Sequence, residues 1–135
     1  MSKWVEELYD DTFEQAILGN ELVFVDFYAD WCGPCKAVAP VVERLAKEYA
    51  GRVTFAKLNT DGNPETASRL RISSIPALML FRDGKLATRT GGYQSDAQLR
   101  VYLDRYAPPS LDKPAAEPER EPARAGLLAR LFGRG

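Results

Sequence analysis

Seven consecutive residues, Leu22-Val23-Phe24-Val25-Asp26-Phe27-Tyr28, form an almost unbroken apolar run rich in β-branched and aromatic side chains. A strand with one face in water alternates polar and apolar residues. A run without alternation predicts a strand buried on both faces, which demands further structure on each side of its sheet. Asp26 is the one interruption. A surface or sheet-edge acid is the plainer reading, but its neighbours Val25 and Phe27 point to burial. Burial disfavours the charged form, so Asp26 is expected to keep its proton to higher pH than a free aspartate.

The remaining pattern supplies the layers. Residues 35 to 50 carry Val38, Val41, Val42, Leu45, Ala46 and Tyr49 at helical spacing, ended by Gly51. A strand is predicted at 53 to 58. Asn63-Pro64 reads as a cap followed by proline in the first turn of a short helix reaching Leu70, and Ala77 to Phe81 as another strand. Asp83-Gly84 is a two-residue hairpin signal linking that strand to the alternating segment Leu86 to Thr90. Ser95-Asp96-Ala97-Gln98 is a capping box that starts a last helix with Leu99, Tyr102, Leu103 and Tyr106 inward, and Thr12-Phe13-Glu14-Gln15 is a second such box. The order β-α-β-α-β-α-β-β-α predicts an α/β fold, a mixed sheet with helices on both faces.

Composition narrows the function. The chain has 135 residues and a net charge of −1, so no clustered basic excess argues for nucleic acid as a partner. Charged residues (Lys3, Glu6, Glu7, Asp10, Asp11) begin the chain, and no apolar stretch there reads as a signal peptide, which makes the cytoplasm the expected compartment. Histidine is absent, which excludes a Cys-His protease. The two cysteines, Cys32 and Cys35, are the whole thiol complement, and a C-x-x-C at this spacing in a cytosolic chain reads as redox or metal chemistry. A tetrahedral zinc site would need two ligands more, from carboxylates or a second chain.

Cys32 follows the buried strand and opens a helix, where free backbone N–H groups and the helix dipole favour an anion. It is therefore the expected nucleophile, since thiolates attack disulfides and thiols do not. Cys35, one turn inward, is left as the resolving thiol. Gly33 and Pro34 suit the gap: proline is tolerated in a first turn, and glycine lets another chain come close.

The segment Val25-Asp26-Phe27-Tyr28-Ala29-Asp30-Trp31-Cys32-Gly33-Pro34-Cys35-Lys36, with Ile75-Pro76 and Gly84 downstream, closely resembles the thioredoxin family over nearly all of residues 4 to 107. The resemblance implies a thioredoxin fold and a protein-disulfide reductase. It implies that Asp26 relays a proton from Cys35, that Lys57 lies near Asp26, and that Pro76 is cis and rests against the cysteine pair. It leaves the Ile75 backbone free to pair with an extended substrate. Lys57 pointing to solvent stays an equal alternative. Trp31 reads either as core or, beside an exposed Cys32, as part of a docking surface with Gly33, Pro34, Ile75, Gly91, Gly92 and Tyr93. Through the same resemblance, Gly-Pro between the cysteines implies a reductant and not an oxidant or isomerase. Tyr28 stands where the family often has Trp, and Ala77 where Thr is common.

No bound cofactor or metal is expected. The implied partners are protein disulfides and a reductase that returns electrons, either a flavoprotein using NADPH or one drawing on ferredoxin, and a monomer is expected. The rival readings are a non-catalytic interaction module, which the full Trp31 to Lys36 motif argues against, and a metal-bridged dimer.

Composition shifts after Ala107. Residues 1 to 107 form the predicted domain, with 13 Lys/Arg against 15 Asp/Glu, and five of the nine prolines lie beyond it. Residues 108 to 122 read as an extended, mobile linker. Residues 123 to 135 carry Arg124, Arg130 and Arg134 with no acidic residue, and Leu127, Leu128, Leu131 and Phe132 at spacings that put them on one side of a helix, a short basic amphipathic tail. Two readings stand for it: a disordered solvated end, or a peptide docking on a partner or an anionic membrane.

Overall fold

The computed structural model describes residues 2–107. The expected linker at 108 to 122 and the tail at 123 to 135 lie outside the described residues. Nine elements follow in the predicted order: β1 Val5–Leu8, α1 Phe13–Leu18, β2 Leu22–Tyr28, α2 Gly33–Glu48, β3 Thr54–Asn59, α3 Pro64–Arg69, β4 Ala77–Arg82, β5 Lys85–Gly91 and α4 Asp96–Tyr106.

The strands form one sheet in the order β1-β3-β2-β4-β5, with β1, β3 and β2 parallel and β4 and β5 antiparallel additions. β2 is the centre, hydrogen-bonded on both sides, and each of its faces lies against a core, which is why its apolar run shows no polar face. Phe24 points to a core shared with Val38, Val41, Val42 and Leu45 of α2 and Leu99 and Leu103 of α4. Val23, Val25 and Phe27 point to the opposite core, closed by Phe13 and Ile17 of α1 and by Leu70 and Ile72 after α3. Burying so many aliphatic and aromatic side chains, each worth about 1.5–3 kcal/mol, dominates the stability of the sheet.

The hairpin turns as its dipeptide predicts: Asp83 and Gly84 have φ of 53° and 82°, and Arg82 pairs with Lys85. Ser95 and Gln98 form the reciprocal capping box. Two expected caps are not made. The Thr12 side chain does not cap α1; its hydroxyl oxygen accepts the Tyr9 N–H at 3.0 Å instead. Asn63 likewise does not cap α3, because its side-chain oxygen accepts from Asp10 N–H at 2.8 Å. The N–H groups that open α3 go to the Asp10 carboxylate, a partner distant in sequence. Among the described residues no helix is long and apolar enough to cross a membrane.

Candidate active site

β2 delivers the chain to the start of α2, and Cys32 sits there as the N-cap, with extended backbone (φ −90°, ψ 113°). Its sulfur accepts the Cys35 N–H at 3.2 Å. Pro34 falls in the first turn, where its missing N–H costs nothing. Cys32 and Cys35 are joined in a disulfide, the oxidised end of a dithiol couple. Both are buried, each 3% exposed. The expectation of an exposed Cys32 is therefore not met in this state: the sulfur folds back onto the helix start and lies 3.7 Å from the Ile75 carbonyl oxygen. On reduction, a Cys32 thiol has that oxygen as an acceptor.

The Ile75-Pro76 bond is cis, as the resemblance implied. The Pro76 carbonyl accepts from Gly92 N–H at 2.9 Å, tying the loop to the end of β5, where Ala77 pairs with Gly91. Pro76 is buried and Ile75 half-buried. Around the disulfide, Gly33, Pro34, Gly91, Gly92 and Tyr93 are exposed. Trp31 is 70% exposed, which removes the core reading, and its indole N–H donates to Asp61 at 2.8 Å. Asp61, in the loop after β3, was invisible to sequence reasoning because nothing local links it to Trp31.

Asp26 lies in the same face of β2 as Phe24 and is 4% exposed. Its Oδ1 has no hydrogen-bond partner among the described residues. Desolvation raises its pKa to about 7, against the Lys57 charge, which lowers it, and with Glu7, which raises it further. Lys57 is Asp26's register partner on β3, so the resemblance placed it correctly. Its ammonium, however, pairs with Glu7 on β1 at 3.8 Å, with the side chain 39% exposed. Glu7 also accepts the Tyr28 hydroxyl at 2.9 Å. Desolvation of Tyr28, and after it that contact, hold the phenol above its ordinary pKa. Sequence reasoning counted Glu7 only as N-terminal charge; the one available signal was the Tyr at position 28.

Among the described residues no group of three or more acidic or cysteine side chains converges as a metal site. A disulfide closed across the first turn of a helix exchanges with thiols, and its reduced dithiol form with other disulfides, so fold and site define a thiol–disulfide oxidoreductase. The thioredoxin family model matches residues 4–105. The chain is 51% identical over 96 residues to a thioredoxin of Alicyclobacillus acidocaldarius subsp. acidocaldarius, covering 71% of this chain and 91% of the relative. It is 47% identical over 105 residues to a thioredoxin of Acidithiobacillus ferridurans, covering 77% and 97%. A thioredoxin of Allochromatium vinosum is 49% identical over 96 residues, covering 70% and 90%. The chain belongs to the thioredoxin family, and it is a protein-disulfide reductase.

Proposed function

We propose that Cys32 is the attacking thiolate and Cys35 the resolving thiol of this reductase, with Asp26 as the proton acceptor for Cys35. The observation that carries the reading is the N-cap position of Cys32, whose sulfur accepts the Cys35 N–H at the positive end of α2. In the reduced protein the Cys32 thiolate attacks one sulfur of a target disulfide. The Cys32–target bond forms, and the other target sulfur leaves as a thiolate and takes up a proton. Cys35 gives its proton to the Asp26 carboxylate and attacks the Cys32 sulfur, forming the intramolecular disulfide. The second target sulfur departs and is protonated. Two electrons pass to the target.

A carboxyl whose pKa lies near 7 suits this task, since it is partly ionised at neutral pH and basic enough to take a thiol proton. Lys57 tempers that basicity through its charge. The rim of Trp31, Gly33, Pro34, Ile75, Pro76, Gly91, Gly92 and Tyr93 is the docking surface in this reading. Its support is the exposure of Trp31 and Tyr93 beside a disulfide, together with the Ile75 backbone, available to an extended segment at the edge of the site.

The protein works in the cytoplasm in this reading, as an electron carrier recharged by a separate reductase, either NADPH-flavin or ferredoxin-linked. Trapping tests the cysteine roles. A reduced Cys35→Ser variant should accumulate mixed disulfides with disulfide-bearing targets, and Cys32→Ser should not. Stable adducts on Cys35 in the Cys32→Ser protein, at the level seen for the reverse variant, would reverse the assignment.

A further inference from the structure

Glu7, Lys57, Asp26 and Leu78 form one lateral row across β1, β3, β2 and β4, each the register partner of the next. Side chains in one such row share a face of the sheet. The row thus places two carboxyl groups on either side of one ammonium. The lysine is claimed by the outer one. Lys57 Nζ lies 3.8 Å from Glu7 Oε1 and 5.6 Å from the centre of the Tyr28 ring, whereas Asp26 makes no ion pair among the described residues. Glu7 is in turn oriented by the Tyr28 hydroxyl, which reaches Oε2 at 2.9 Å and Oε1 at 3.2 Å.

We infer that Glu7 is a positioning residue for the redox site: it draws the Lys57 ammonium toward the edge strand, away from Asp26, and so makes the Asp26 carboxylate a stronger proton acceptor. The inference deepens the relay reading of Asp26 and rests on it. Tyr28, the departure from the family pattern, supplies the hydroxyl that holds Glu7 in place.

Among the described residues no other charged group is placed to do this. β4 presents Leu78 to Asp26, and α2, which covers this face, has Cys35 as its one buried titratable residue. The acids and bases of α4 lie at the surface, where Asp96 pairs with Arg44 and Arg100 with Glu48. Glu7 acts in two ways of the same sign. It neutralises the charge that favours Asp26 ionisation, and its own negative charge opposes that ionisation directly. The first route runs through Lys57 and the second does not, which makes the two separable.

The test is the Asp26 titration midpoint, followed by carboxyl carbon NMR on the full-length oxidised protein. Glu7→Gln, which keeps an acceptor for Tyr28, should lower the midpoint by up to about one pH unit, because the freed lysine turns to Asp26. In a Lys57→Met background the same substitution should shift it by less than half as much. Tyr28→Phe keeps the ring beneath the lysine and loses the hydroxyl, and should give a smaller shift in the same direction. An unmoved or raised midpoint in Glu7→Gln, or equal shifts with and without Lys57, overturns the inference; should Glu7→Gln fold poorly, an unmoved midpoint in Tyr28→Phe does so. The pH profile of mixed-disulfide release in the same variants separates this from the relay. A profile that stays fixed while the midpoint moves refutes the relay reading and leaves Glu7's hold on Asp26 standing.

Discussion

Asp10 and Thr66, 56 residues apart, are joined by two hydrogen bonds to one carboxylate oxygen: the Thr66 N–H donates at 2.8 Å and its hydroxyl at 2.6 Å. The Glu65 N–H donates to the other oxygen at 3.2 Å. The loop between β1 and α1 thereby caps α3, a helix of six residues too short to be stable alone.

Asp10→Ala should lower the thermal midpoint at neutral pH by removing that cap. Desolvation pushes the Asp10 pKa up, but the bonds from Thr66 and Glu65 outweigh it and the net shift is downward. A depressed folded pKa means stability that is present above the unfolded value near 4 and is lost as pH falls through the folded one. The gap between wild type and variant should therefore close in acid. A midpoint equal to wild type at pH 7 would show that α3 is held by its buried Thr66 and the partly buried Leu70 alone.

Asp26 gives the opposite sign. Its folded pKa, raised by desolvation to about 7, lies above the unfolded value of 3.8, so its contribution to stability is intact below pH 4 and is lost as pH rises through 7. Asp26→Ala should accordingly be more stable than wild type by about 1 to 3 kcal/mol at neutral pH, a difference that shrinks toward zero near pH 4. Urea unfolding between pH 4 and 9 measures it. The variant should also release mixed disulfides more slowly in single-turnover reactions, and a destabilised, fully active Asp26→Ala would make the residue a structural acid only.

Two site glycines should respond differently to a methyl group. Gly92 has φ of 74°, so Gly92→Ala should cost about 1–2 kcal/mol and loosen the Gly92 to Pro76 bond. Gly33 has an ordinary helical backbone, and a Cβ there meets nothing within 4 Å, so Gly33→Ala should fold as well as wild type or better by about 0.5 kcal/mol. Denaturant midpoints compare them. Equal losses would mean that the open space beside Gly33 is closed in solution.

Residues 108 to 135 are predicted from composition to be dispensable for exchange. Their deletion should leave the dithiothreitol-driven reduction of insulin unchanged. Binding separates the two readings of the tail: a docking peptide requires the full-length chain, and not the truncated one, to co-sediment with anionic vesicles or a specific partner. A several-fold fall in insulin reduction on deletion would place part of the tail in the catalytic unit.

Patterns carried within one segment were legible from the sequence alone. The unalternating run of β2 implied burial on both faces, the spacing in α2 and α4 named their buried sides, and Asp83-Gly84 specified its turn, because each depends on periodicity or on local backbone preference. The same locality placed Cys32 at a helix start. Tertiary structure decided which distant groups share a charge or a hydrogen bond. Asn63 and Thr12 had the right chemistry to cap their helices, but Asp10 N–H and Tyr9 N–H took their oxygens. Lys57 was placed beside Asp26 by resemblance, yet Glu7, on a strand laid against β3 only by the fold, took its ammonium. Such choices follow from competition between partners brought together by sheet order, and sheet order is set by how the two cores close, not by any one stretch of residues.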